Sequence, residues 1–230
     1  SRNKVNALRD TVEMNTITGG DLRLLAGARR DHKVRSPRDL AVLTREDWTK
    51  LVESEMPELP GTVDGPNREK RIQNYATAVT LSVEARYPTA VVASRWQADG
   101  ALPQTHIQTF FKQNPDFDFT RASVQQQLAG KTSNSARQQL QSMNQVESLF
   151  HVAPEFDRFD HIKTLWQGGL RSADDITRMG RTTFRRQYAP NLGGTQAADE
   201  VYARAQHTTA YNLSLVPKIS KALKRLDLEV

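Results

Sequence analysis

Glu155, Asp157, Asp160 and His161 are the densest grouping of carboxylates and imidazole in the chain. Asp157 and His161 have i,i+4 spacing, so on a regular helix both side chains share a face and could touch one metal ion. That spacing alone is a weak metal signal, and the group reads as an acidic surface patch. The remaining histidines at 32, 106, 151 and 207 have no neighbours that suggest chemistry. Gly130-Lys131-Thr132 lacks the upstream glycine and the preceding strand that a phosphate loop needs. No HExxH or GxSxG motif occurs, and with no cysteine the chain holds no thiolate nucleophile, disulfide or cysteine-based zinc site. The expectation is a protein that is not an enzyme, with no cofactor and no metal.

Cations offer more than carboxylates do. Arg178, Arg181, Arg185 and Arg186 cluster in sequence, and the i,i+4 spacing of Arg181 and Arg185 puts two guanidinium groups on one helical face. One reading is a solvated face bonded to nearby acids; the other is a patch for an acidic partner or a nucleic-acid backbone. Near the end of the chain, Lys218, Lys221, Lys224 and Arg225 alternate with Ile219, Leu223 and Leu226 as a basic amphipathic helix. Its apolar face is too thin to hold a bilayer alone, so docking to protein is the preferred role. These eight residues are the candidate partner-binding set.

What must position them is a scaffold that repeats. Residues 35–48 return at 171–184 with four of fourteen positions identical: Arg35/Arg171, Ser36/Ser172, Asp39/Asp175 and Arg45/Arg181. Leu40/Ile176, Leu43/Met179 and Trp48/Phe184 keep their apolar character. Allowing five extra residues after Gly27, Val5, Leu8, Leu24 and Gly27 align with Val146, Leu149, Leu165 and Gly168. Each copy reads as short helices joined by a tight turn, with glycine to reverse the chain and serine to cap the next helix. The outline resembles a helix-hairpin-helix, whose backbone N–H groups can hold a phosphate. Asp174 and Asp175 sit at that helix start, however, where they suit the helix dipole and repel phosphate. Trp48, Phe184 and Trp166 read as core.

Helical periodicity runs through almost the whole chain, and no stretch alternates with period two. Helices are expected at 3–15, with Val5, Leu8 and Val12 as its apolar face, at 22–28 after an Asp21 cap, at 37–42, and onward from a Thr44 cap with Trp48, Leu51 and Val52 turned inward. Further helices are expected over 68–87, 90–97, 103–113, 136–150, 155–167, 173–179, 183–188, 196–215 and 218–228. Thr182 is the expected cap before 183, and Pro217 the start of the final helix. The fold class is all-α: a repeat unit at 1–87, a helical connector at 88–144, and a second repeat unit with its basic helix at 145–230. The composition agrees, with 37% hydrophobic, 25% charged and 7% aromatic residues. A net charge of +6 from 32 basic and 26 acidic side chains is modest and interleaved. No apolar run is long enough to cross a bilayer. The opening Ser-Arg-Asn-Lys, without Met, suggests a processed piece or a cut from something longer.

Three stretches resemble the helical shell region of insecticidal Tc-toxin A subunits and virulence-plasmid A proteins. The first is Ser36–Trp48 followed by Pro57-Glu-Leu-Pro-Gly and Arg86-Tyr-Pro-Thr; the second is Phe110-Phe-Lys-Gln-Asn-Pro-Asp-Phe-Asp-Phe. The third is Gly169–Phe184 with Leu192-Gly-Gly and Val201-Tyr-Ala-Arg-Ala. The resemblance covers most of residues 34–216. It implies an all-helical module of a large toxin assembly, secreted or delivered, and transfers no catalytic residue. Two functions follow as expectations: a scaffold that contacts protein partners or its own copies, and, as the alternative, a nucleic-acid-binding module.

Overall fold

A computed structural model describes residues 2–103 and 105–226, with the side chains of residues 2–4 and 214–226 outside the described set. Among the described residues every regular element is a helix. The chain divides into two units, Ser1–Ala98 and Asp99–Val230. The stretch expected to connect the repeats, 88–144, is thereby shared between them. Its first helix packs on the first unit, and the rest belongs to the second.

The first unit contains α1 (Arg2–Ile17), α2 (Leu22–His32), a 3-10 helix (Pro37–Val42), α3 (Arg45–Glu55), α4 (Arg68–Arg86) and α5 (Pro88–Ala98). Starts are written in the caps. Asp21 accepts from the N–H groups of Arg23 and Leu24, Asn67 from Lys70, and Thr44 from Asp47, whose carboxylate returns a bond to the Thr44 N–H at 2.8 Å. The segment after Ser36 was expected as an ordinary helix and winds as 3-10, with N–H bonds reaching back three residues at Asp39 and Leu43. Helix α2 runs past the expected Ala28 to His32 and ends at Lys33 in a left-handed conformation, φ 55°. Leu24, Leu40, Trp48, Val52, Ile72 and Ala76 build the core beneath these helices.

One expectation fails on α1. Val5, Leu8 and Val12 do not face inward: they are 66, 66 and 58% exposed, while Met14 and Ile17 on the opposite side are buried. Two cations of α4 hold the loop after α3: Arg71 donates to the carbonyls of Leu59, Pro60 and Val63 at 3.2, 2.9 and 3.0 Å, and Arg68 to that of Met56 at 3.2 Å.

The second unit contains α6 (Thr105–Gln113), α7 (Val124–Gln127), α8 (Asn134–Val152), α9 (Arg158–Gln167), α10 (Ala173–Arg178), α11 (Arg181–Tyr188), a 3-10 turn (Ala189–Asn191) and α12 (Thr195–Leu226). The helices expected over 196–215 and 218–228 are one through Leu226. Pro217 lies inside α12, where its missing N–H leaves the Leu213 carbonyl without its helical donor. Helix α6 lies against α8 through aromatic packing: Phe110, Phe111, Phe117 and Phe119 meet edge to face at 5.0–6.2 Å, and Phe119 tilts onto Phe150 at 4.8 Å.

Glu147, half-buried on α8, accepts weakly from the Val124 N–H at 3.4 Å, and burial raises its pKa above the ordinary glutamate value. A raised carboxyl pKa favours the folded state while the group is protonated, and that contribution is lost as pH rises through the folded value. Glu147→Gln should therefore raise the melting temperature at pH 7. The gain should close as pH falls through the normal glutamate range, which paired melts at pH 7 and pH 4 will show.

Candidate interaction surface

Of the residues shared by positions 35–48 and 171–184, Ser172 and the two aspartates hold turns. Ser172 Oγ accepts from the Asp175 N–H at 3.1 Å, and the Asp175 carboxylate accepts from the Arg171 N–H at 2.9 Å. In the first unit the Asp39 carboxylate accepts from the N–H groups of Arg35 and Ser36, each at 2.8 Å. Serine and aspartate therefore satisfy the donors that a helix start leaves open. The Ala173 N–H is also engaged, by Ser148 Oγ at 3.2 Å. With those donors occupied by the chain itself, the turn presents little of the N–H cradle that a phosphate would need.

The identical arginines have side chains of their own context. Arg171 stacks on the Trp166 ring with its guanidinium carbon 4.0 Å from the centroid, and donates to the carbonyls of Trp166 and Leu170. Burial pulls its pKa down, opposed by Asp175.

Gly27 was expected to reverse the chain but lies within α2, and both it and Gly168 are points of close approach. A Cβ at Gly27 would lie 2.9 Å from Glu55 Cγ and 3.0 Å from Leu51 on α3. At Gly168 it would lie 2.3 Å from the hydroxyl of Tyr188 on α11. Trp48 and Phe184 are both fully buried.

Helix α11 presents the arginines. It starts from Gly180, φ 74°, and not from a Thr182 cap as expected, because the turn out of α10 needs the left-handed backbone that glycine supplies. Arg181, Arg185 and Arg186 all lie on its exposed surface. Arg178 pairs with Asp174 on its own helix. Arg181 Nε meets the Asp199 carboxylate at 3.0 Å and Arg185 reaches it at 3.8 Å. The two arginines hold the Asp199 carboxyl below its usual range, the hydrogen bond from Arg181 first. Sequence reading missed Asp199, since it stands on α12, across a helix-helix contact that no local spacing announces.

Arg186 has no acidic partner among the described residues. With Arg185 it borders an open groove of about 550 Å³ lined also by Thr182, Pro190, Gly194 and Thr195. Positive potential in that groove suits a carboxylate or another anionic group of a partner. Lys218, Lys221, Lys224 and Arg225 fall on residues whose side chains lie outside the described set.

The acidic cluster has a structural explanation. Asp157 is the left-handed residue before α9, φ 51°, so Glu155 lies outside the helix. The His161 ring faces the backbone carbonyls of Asp157 and Leu192 at 2.8 and 3.2 Å, tying α9 to the turn before α12. Both ring nitrogens are thus directed at protein oxygens and away from a shared ligand. Among the described residues no group of three metal-ligating side chains converges, and no helix is long and apolar enough to cross a membrane.

Fold and surface together define an all-helical protein with a partly neutralised arginine face. Comparison with protein-family models, curated proteins and solved structures gave no match.

Proposed function

We propose that this chain is a non-enzymatic helical scaffold and protein-interaction module, similar in role to the shell region of Tc-toxin A components, in toxin assembly or delivery. Its two halves are read as diverged copies of one helical unit. The observation that carries this reading is the employment of the shared residues: Ser172 and Asp175, like Asp39, are spent on helix starts. A chain whose recurring side chains hold turns is built to present surfaces. The Arg181–Arg185–Arg186 face is the proposed contact for acidic groups on a protein partner or a further copy.

Size-exclusion chromatography with light scattering, together with the 260/280 nm absorbance ratio before and after a high-salt wash, tests it. A discrete monomer or oligomer with a protein-only ratio is expected. Nucleic acid that stays bound until salt is raised, and is lost in Arg181→Ala/Arg185→Ala, would replace this reading. Such binding falls by about 0.9 log units per log unit of salt for each phosphate neutralised. Both arginines are exposed, so the double variant should keep the helical spectrum of the parent.

A further inference from the structure

Helix α1 has two apolar faces, and one of them is uncovered. At about 100° per residue, Val5, Leu8 and Val12 fall within about 60° of one another, and Met14 and Ile17 lie half a turn away. The second pair is buried; the first three are 58–66% exposed. A helix at the surface of a globular unit ordinarily needs one apolar stripe. Isolated exposed apolar side chains require no explanation, whereas three in helical register form a patch.

The rims of this patch are basic. Arg9, with a side chain 74% exposed, follows Leu8 on one side, its Nε 4.0 Å from Asp10. On the other side Arg29 donates to Thr11 Oγ1 at 3.3 Å, which brings a second exposed guanidinium to the edge. The remaining acid of the helix is turned away: Glu13 accepts from the Tyr87 hydroxyl at 2.6 Å and faces Arg86 at 3.5 Å.

The geometry of what covers such a face is suggested by α8. Val146 and Leu149, which align with Val5 and Leu8, are wholly buried on a helix that packs against α6 and α7. This comparison rests on reading the two halves as copies of one unit; the exposure and the basic rims do not.

We propose that the Val5–Leu8–Val12 face docks an amphipathic α-helix of a partner protein, whose apolar anchors at i, i+3 or i+4, and i+7 are flanked by acidic side chains. Apolar burial would supply the contact, and the Arg9 and Arg29 rims would select acidic flanks and set the register.

The test uses the full chain and two fluorescent peptides of about 18 residues, long enough to form a helix. They share one leucine stripe and carry either glutamates or lysines beside it. In anisotropy titrations at low salt the glutamate peptide should bind at least about tenfold tighter than the lysine peptide. Leu8→Asp should abolish that binding, and Arg9→Glu/Arg29→Glu should invert the preference. All three positions are exposed, so circular dichroism should show an unchanged fold.

Equal affinity for both peptides, no binding of either, or binding indifferent to Leu8→Asp would overturn the proposal. So would a dimer in light scattering that Leu8→Asp dissolves, since the occupant would then be a second copy. Binding lost in Arg181→Ala/Arg185→Ala and kept in Leu8→Asp would sink this site and leave the scaffold reading standing. Salt-sensitive nucleic acid would instead sink the scaffold reading, whatever the peptides do.

Discussion

Gly168→Ala is expected to cost the second unit about 3–4 kcal/mol, from overpacking together with a lost hydrogen bond. The added methyl would sit 2.3 Å from Tyr188 Oη, 2.5 Å from Cε1 and 2.8 Å from Cζ. Tyr188 cannot swing aside cheaply. It is 4% exposed, stacks on Phe184 with centroids 5.0 Å apart, and its hydroxyl donates to the Gly168 carbonyl at 3.0 Å. Backbone strain plays no part, since Gly168 has φ −75°, which alanine adopts freely.

Gly27→Ala makes the contrast. Its nearest contact is the flexible Glu55 side chain, and alanine in mid-helix gains about 1 kcal/mol over glycine. Its net change should stay within about 1 kcal/mol of zero. Urea unfolding followed by helix signal measures both. In a Tyr188→Ala background the alanine at 168 should cost almost nothing. A stable Gly168→Ala protein with Tyr188 intact would show that α9 and α11 can part without penalty.

Trp48→Ala and Phe184→Ala should each cost about 3–5 kcal/mol, because both rings are fully enclosed and their removal leaves a void the helices cannot close. Trp48 also tests a subtler balance. Its indole Nε1 is buried without a hydrogen-bond partner. An unpaired buried donor costs about 1–3 kcal/mol. Trp48→Phe removes that donor along with part of the ring, so its net effect should lie within about 1 kcal/mol of the parent. Hydrogen exchange should show the alanine losses confined at first to the unit that carries each substitution. A Trp48→Phe loss as large as that of Trp48→Ala would mean that ring volume alone governs the site.

Helix starts were legible because capping is local chemistry: Asp21, Thr44, Asn67 and Ser172 each satisfy N–H groups two or three residues ahead. Core rings were legible for a similar reason, as Trp48 and Phe184 sit on short helices with one clear apolar side. Helix α1 misled because periodicity identifies an apolar face without saying which of two faces is covered. Pro217 misled because its usual meaning is a helix start. The arginine cluster was visible as composition, but Arg185 and Arg186 look alike in sequence, and only the position of Asp199 on α12 shows that Arg185 is the one it pairs with.

By itself, then, the order of residues determined the all-helical class and the caps at Asp21, Thr44, Asn67 and Ser172, since hydrogen bonds closed within one helical turn depend on near neighbours. Tertiary structure alone decided which apolar stripe of α1 is spent, which guanidiniums of α11 are neutralised, and that His161 reaches the Leu192 carbonyl. The deciding groups stand on other elements, Asp199 on α12 for the arginines of α11 and the Leu192 carbonyl for His161, and no local spacing encodes where a distant helix will lie.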